Sequence, residues 1–314
     1  MRVRRRVAVV IITSGVAVVA ATALFAVLAG TEPVEVLARA TFDSPSISGK
    51  HHGEVRRDSR RPTGEMPPSK IPDVPSQPHA DAMAALPEAR YDGVIGGLDA
   101  ETAASSGLPE LAYSLRSSAA IYGADRVTPI GYLPPFDFLG EPTVIVPLAI
   151  DGGWARILTL ARQRLPSASS GLAPAQTSAW IAFDTLTNAE PLDRHIEVSV
   201  SAQTLAIMEG ESVIAAYSVG VGTFETPTPT GVTGYLQARY LDPSQNQAVH
   251  RVQLTSLHAT SVDEPYGGSD GGLIGLHFSD VATGAVTHGC IRLQADAIVA
   301  VDALPLGTPI TIRE

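Results

Sequence analysis

Across the last third of the chain, apolar and polar positions alternate with a period of two, and that period predicts strands. Ile196, Val198 and Val200 alternate with Glu197 and Ser199, as one buried and one solvated face require. Two further apolar runs, residues 205–208 and 213–219, flank Glu209-Gly210-Glu211, whose glycine suits a hairpin turn. The run Thr226-Pro227-Thr228-Pro229-Thr230-Gly231 forces extended and turn backbone, because each residue before a proline is pushed out of the helical region. Strands resume at residues 235–238 and 273–276. Residues 294–303, with Ile298, Val299 and Val301 as apolar positions, predict a short helix, and residues 307–312 a closing strand.

Upstream, over residues 91–193, the β-like runs are shorter: 112–115, 119–122, 143–148, 154–158 and 180–183, punctuated by Gly and Pro. Asp151-Gly152-Gly153 predicts a hairpin turn, since these residues tolerate positive φ. The strand Trp154-Ala155-Arg156-Ile157 behind that turn, followed by Ser178-Ala179-Trp180-Ile181-Ala182, resembles small SH3-like β modules of bacterial envelope proteins. Tryptophans on short strands serve as core or as a ligand platform, so wall binding stays open for this module.

Residues 30–90 show neither period. Prolines recur among Ser, Asp, Arg and Gly, which predicts a disordered, semi-extended tether without a core. His51, His52 and His79 fall in it and read as solvated residues, because a lone pair offers too few ligands for a metal. At the start, Arg2, Arg4, Arg5 and Arg6 precede an uncharged run over residues 7–29. A membrane-crossing helix takes about 20 residues, and the arginines would stay on the cytoplasmic side. A cleaved signal peptide is the rival reading, with Val27-Leu28-Ala29 and Ala38-Arg39-Ala40 as cleavable sites. Either way the remainder lies outside the membrane. The expected organisation is therefore a basic cytoplasmic tail (1–6), an anchor or signal peptide (7–29), a tether (30–90), a small β module (91–193) and a mainly β, β-sandwich-like final domain (194–314).

Composition narrows the chemistry. With 22 Lys and Arg against 32 Asp and Glu, the net charge of −10 argues against a nucleic-acid partner. The chain of 314 residues has one cysteine, Cys290, which rules out an internal disulfide. A lone thiol outside the membrane is open to oxidation. It is either a buried small hydrophobe or a working group.

The surroundings of Cys290 favour the second. A thiol attacks as a thiolate, so a base must take its proton. Two histidines lie within reach in sequence. His288 is two residues upstream and shares a face with Cys290 only if the backbone stays extended; His277 ends an apolar run, one short loop before Thr287. Gly289 allows a tight fold that could turn the amides of His288, Gly289 and Cys290 toward a developing oxyanion. Thr287 offers a hydroxyl to orient a neighbour or a substrate. Arg292 offers a fork for a carboxylate, or else a local ion pair.

The run Thr287-His288-Gly289-Cys290-Ile291-Arg292, with His277 upstream, resembles the signature of the L,D-transpeptidase catalytic domain of YkuD type. The opening strand from Ile196, the Tyr217-Ser218-Val219-Gly220-Val221-Gly222 strand, the Thr-Pro turn and Leu273-Ile274-Gly275-Leu276-His277 occur in the same order as in that family, over about the last 120 residues. The resemblance implies Cys290 as nucleophile and His277 as general base, its ring oriented by the carbonyl of Phe278. It implies an oxyanion hole shaped by His288 and Gly289 with Cys290, and a lid over the cleft. It also implies peptidoglycan stem peptides as substrates, acylation by carbapenems, and no cofactor or metal. Cys290 would attack the diamino-acid carbonyl of a tetrapeptide stem, expel D-alanine and pass the acyl group to an amine of another stem. The loop over residues 278–286 is shorter than in many relatives, which predicts a reduced lid, and Phe278 stands where a small residue often follows the base.

Other arrangements use the same atoms. A zinc site of His277, His288 and Cys290 lacks a fourth ligand beyond Asp280. An inactive or metal-binding wall-associated module is thus the alternative to an enzyme. In a papain-like protease the cysteine precedes its histidine, the reverse of the order here.

Overall fold

The computed structural model describes residues 73–103, 107–170, 173–263 and 269–314. The expected anchor and most of the expected tether lie outside them. Among the described residues, no helix is long and apolar enough to cross a membrane.

Structure begins earlier than the tether boundary at residue 90 implies. A short helix, α1 (Ala80–Ala84), and its flanks pack onto the β module. Met83 is buried, and Val74 and Leu86 lie with it against Tyr122 and Trp154. Gln77 accepts the Ala120 N–H at 2.9 Å, and Ala89 is fully buried. These apolar residues are spaced too widely among prolines to show a period. They gain order only from the surface they cover.

The module contains β1 (Asp99–Ala100), β2 (Leu111–Leu115), β3 (Ala119–Tyr122), β4 (Pro129–Leu133), β5 (Pro147–Asp151), β6 (Trp154–Thr159), β7 (Thr177–Ala182) and β8 (Leu186–Pro191). Five of these form an antiparallel sheet in the order β4-β3-β7-β6-β5, with β1 added on β7 and β2 paired to β8. The predicted turn at Gly152 and Gly153 is present, both at positive φ, and joins β5 to β6. Trp154 is a core residue, fully buried and edge-on to Tyr122. Trp180 is half-buried, with the Arg126 guanidinium over its ring. The sequence reading missed β1, β4 and β8, whose residues carry no clean alternation.

The final domain continues with β9 (Arg194–Ser199), β10 (Thr204–Glu209), β11 (Ser212–Ser218), β12 (Gly220–Gly222), β13 (Val232–Asp242), β14 (Gln247–His258), β15 (Val262–Asp263), β16 (Ser269–Asp270), β17 (Leu273–Phe278), β18 (Gly284–Thr287), β19 (Ile291–Leu293), α2 (Ala295–Asp302) and β20 (Pro309–Arg313). Its sheet runs β11-β10-β9-β20-β13-β14-β17-β19-β12-β18. β13 belongs to both halves, pairing with β20 from Val232 to Tyr235 and with β14 from Leu236 onward, with a bulge between Leu236 and Ala238. A bulge bends a strand, and here both halves turn apolar faces into one core. That core joins Ile196, Val198 and Leu205 to Leu276, Ile291 and Leu293, with Ala297, Ile298 and Val301 of α2 packed among them.

The module and the final domain share buried contacts. Tyr235 packs with Val146, Leu158 and Leu160, and its hydroxyl donates to the Val144 carbonyl at 3.2 Å. Arg162, only 4 % exposed, donates to the carbonyls of Ala259 at 2.9 Å and of Gly271. It thereby ties together the two ends of the excursion between β14 and β17. Ser256 donates to Gln176 at 2.6 Å.

Candidate active site

The site is built on a parallel pair. β17 and β19 run side by side with Leu276 opposite Ile291, His277 opposite Arg292 and Phe278 opposite Leu293. With a side-chain period of two, Leu276 and Ile291 point into the core, where both are fully buried. Gly275 and His277 take the other face of β17, and Cys290 and Arg292 take the matching face beside them. The Gly275 backbone N–H donates to the Cys290 sulfur at 3.4 Å. The cysteine is half-buried, so its thiol is neither sealed in the core nor on an open surface.

His277 is the last-but-one residue of β17, not a residue beyond the strand. Its Nδ1 lies 3.1 Å from the Phe278 carbonyl oxygen. A carbonyl only accepts, so Nδ1 carries the proton and Nε2 is left as the basic nitrogen. Burial pushes the His277 pKa below its ordinary value; the Phe278 hydrogen bond opposes this, and the nearby Arg292 charge adds to it. A lowered value keeps the imidazole neutral, as a base must be.

The loop before Cys290 is shaped by Gly289, at φ 105. A side chain there would be strained, and its Cβ would sit 3.1 Å from Ile274 Cδ1. This turn breaks the extended spacing on which a shared face for His288 and Cys290 depends. His288 is exposed, beside Thr226, Pro227, Ala259 and Ser261. Two threonines brace the loop. Thr287, 3 % exposed, donates to the Cys290 carbonyl at 2.6 Å and accepts the Gly289 N–H at 3.2 Å. Thr228 donates to the Gly289 carbonyl at 2.8 Å and accepts the Gly222 N–H at 2.9 Å.

Of the two roles open to Thr287, the structure shows the hydroxyl orienting its neighbours in the loop. The Gly289 N–H points to Thr287 in this arrangement. Arg292 is half-buried beside His277, and among the described residues its Nε has no hydrogen-bond partner. The short loop after Phe278 folds against the sheet edge: Ser279 N–H donates to Leu293 at 2.9 Å, and Ala282 is buried. The segment that borders His288 is instead the excursion between β14 and β17, through Ala259 and Ser261. Among the described residues, no group of three or more His, Cys, Asp or Glu side chains is placed to hold a metal ion.

Sequence reasoning did not single out Gly275, Thr228 or Gln247. Thr228 read as one step of a turn-forming repeat. Gln247 sits 30 residues before His277 in a segment without a readable period. Only strand pairing brings them to the loop.

Residues 193–312 match the L,D-transpeptidase catalytic domain of the YkuD family. The YkuD protein of Bacillus subtilis (strain 168) is 30 % identical over 152 residues, 48 % of this chain and 83 % of that protein. The YkuD protein of Bacillus licheniformis is 27 % identical over 154 residues, 48 % of this chain and 86 % of that protein. Among solved structures, an L,D-transpeptidase from Mycobacterium smegmatis aligns at 16 % identity over 55 % of this chain and 91 % of that one, with a TM-score of 0.30. Another, from Stackebrandtia nassauensis, aligns at 18 % over 42 % and 60 %, with a TM-score of 0.29. On the Bacillus relatives and the matched catalytic domain, this chain belongs to the YkuD family of L,D-transpeptidases.

Proposed function

We propose that the chain is a cell-envelope acyltransferase that cross-links peptidoglycan stems through a Cys290 thioester. The single observation that carries this reading is the β17–β19 pair: it sets Cys290 and His277 on one face while the Phe278 carbonyl fixes the base's tautomer. His277 Nε2 takes the thiol proton as the sulfur attacks the diamino-acid carbonyl of a tetrapeptide stem. The S–C bond forms, the C–N bond to D-alanine breaks, and D-alanine leaves with the proton from His277. An amine of a second stem then attacks the thioester, giving its proton to His277; the new amide forms, and Cys290 is released to be reprotonated. The His288 and Cys290 amides face the developing oxyanion, and Arg292 receives a stem carboxylate. The five-stranded antiparallel sheet supports an SH3-like reading of the β module. The basic start and the apolar run at residues 7–29 support anchoring to the membrane or export, with the enzyme acting outside.

Intact-protein mass after incubation with a tetrapeptide stem, and separately with a carbapenem, tests this. One covalent adduct on the parent chain, absent in Cys290→Ala, is the expected result. Absence of an adduct on the parent with both reagents would sink the reading.

A further inference from the structure

The carbonyl that orients His277 has a second donor. Gln247 Nε2 lies 3.0 Å from the Phe278 oxygen, the same atom that receives His277 Nδ1 at 3.1 Å. We propose that Gln247 is a positioning residue for the reaction: by holding the Phe278 peptide plane, it aims the acceptor that fixes the His277 ring. This rests on the assignment of His277 as the base.

The geometry is built, not incidental. Gln247 is 5 % exposed, so its amide was taken out of water to be here. Its Nε2 also lies 3.3 Å from the Gln245 carbonyl. Two acceptors on one side of the amide determine which end carries the NH2. Among the described residues the Oε1 is left buried without a partner, a cost that a purely apolar side chain at this position would not carry. The hairpin that delivers Gln247 is itself pinned. Asp242 accepts from Ser244 N–H at 3.1 Å and from Gln245 Nε2 at 2.7 Å. Asn246 takes a left-handed turn at φ 62. From the same strand, the His250 ring packs on the Phe278 ring, centroids 5.0 Å apart. Phe278 is therefore gripped by its carbonyl and by its ring. This grip also gives a reason for a large residue directly after the base.

A carbonyl oxygen has two lone pairs, and the two donors use both. The other end of this peptide plane, the Ser279 N–H, is held by the Leu293 carbonyl at 2.9 Å, so losing Gln247 removes one of its two anchors and lets the carbonyl tilt. The His277 ring then loses its preference for the Nδ1–H tautomer. The charge that acts on His277 is that of Arg292 on β19, and the substitution leaves it in place.

The test uses the full chain with Gln247→Leu, close in volume but without a donor, and Gln247→Glu, which cannot donate when ionised. The ring nitrogen shifts of His277 are read by NMR, and acylation by a tetrapeptide stem is followed by mass. The expected result is a His277 ring shifted from the Nδ1–H form toward a tautomer mixture. With it, kcat falls roughly 10- to 100-fold while KM stays within about twofold, the size expected from a misplaced base. Unchanged ring shifts in either folded variant overturn the proposal, whatever the activity. If the ring responds but the parent never acylates, positioning stands and the transpeptidase reading is what fails.

Discussion

His277 and Arg292 face one another as register partners on two parallel strands, so a permanent positive charge sits beside the base. Burial and this charge both lower the His277 pKa. The base is neutral above its pKa, so a lowered value extends activity to lower pH. The acid limb of kcat/KM is expected below the ordinary histidine value of about 6.5. In Arg292→Gln one of the lowering causes is gone, and the limb should move up in pH. A pH–rate profile of both proteins checks this; a limb that stays put would mean that Arg292 does not act on the base.

Thr287 and Thr228 hold the catalytic loop from two sides. Thr287→Val keeps the shape and removes the hydroxyl, leaving the Gly289 N–H without its acceptor. A cost of about 1–3 kcal/mol in stability follows from one unsatisfied buried group. A roughly 10- to 100-fold loss in kcat follows from a displaced nucleophile. Thr287→Ser should restore most of both. Thermal unfolding and single-turnover acylation measure the two effects separately.

His258 is 1 % exposed, with Nε2 2.8 Å from the Leu160 carbonyl. Burial pushes its pKa down to about 3, and Arg162 adds to the effect. The folded value lies below the unfolded one of about 6.5, so protonation favours unfolding. The contribution is intact above pH about 6.5 and is lost as pH falls toward 3. His258→Gln keeps a donor for Leu160 and cannot titrate. Its urea midpoint should fall less than the parent's between pH 7 and pH 4; equal falls would assign acid lability to other groups.

Arg162 brings a buried charge to the carbonyls that close the base of the β14–β17 excursion. Arg162→Leu leaves those carbonyls without their donor, at a cost of about 2–4 kcal/mol. Chemical denaturation reads the loss. Since Ala259 next to this clamp borders His288, KM for the stem peptide should rise as well. A stability loss with unchanged KM would confine Arg162 to holding the two parts together.

Local pattern was enough for much of this molecule. Period-two alternation marked β9, and the Glu209-Gly210-Glu211 hairpin, the Gly152 and Gly153 turn, α2 and β20 were all readable, because turn chemistry and alternation are properties of neighbours in sequence. The lone Cys290 after His-Gly, with His277 upstream, pointed to a thiol site and to its family. Tertiary structure decided which neighbours matter. It showed the Thr287 hydroxyl bracing the loop through Gly289 and Cys290. It brought the excursion before β17 beside His288. It drew Val74, Met83, Leu86 and Ala89 out of the expected tether and packed them against the module. It also placed Gln247 on the carbonyl that orients the base. Each of these depends on a pairing between distant strands or on burial against a surface made elsewhere in the chain. No window of sequence contains the partner that a hydrogen bond across a sheet requires.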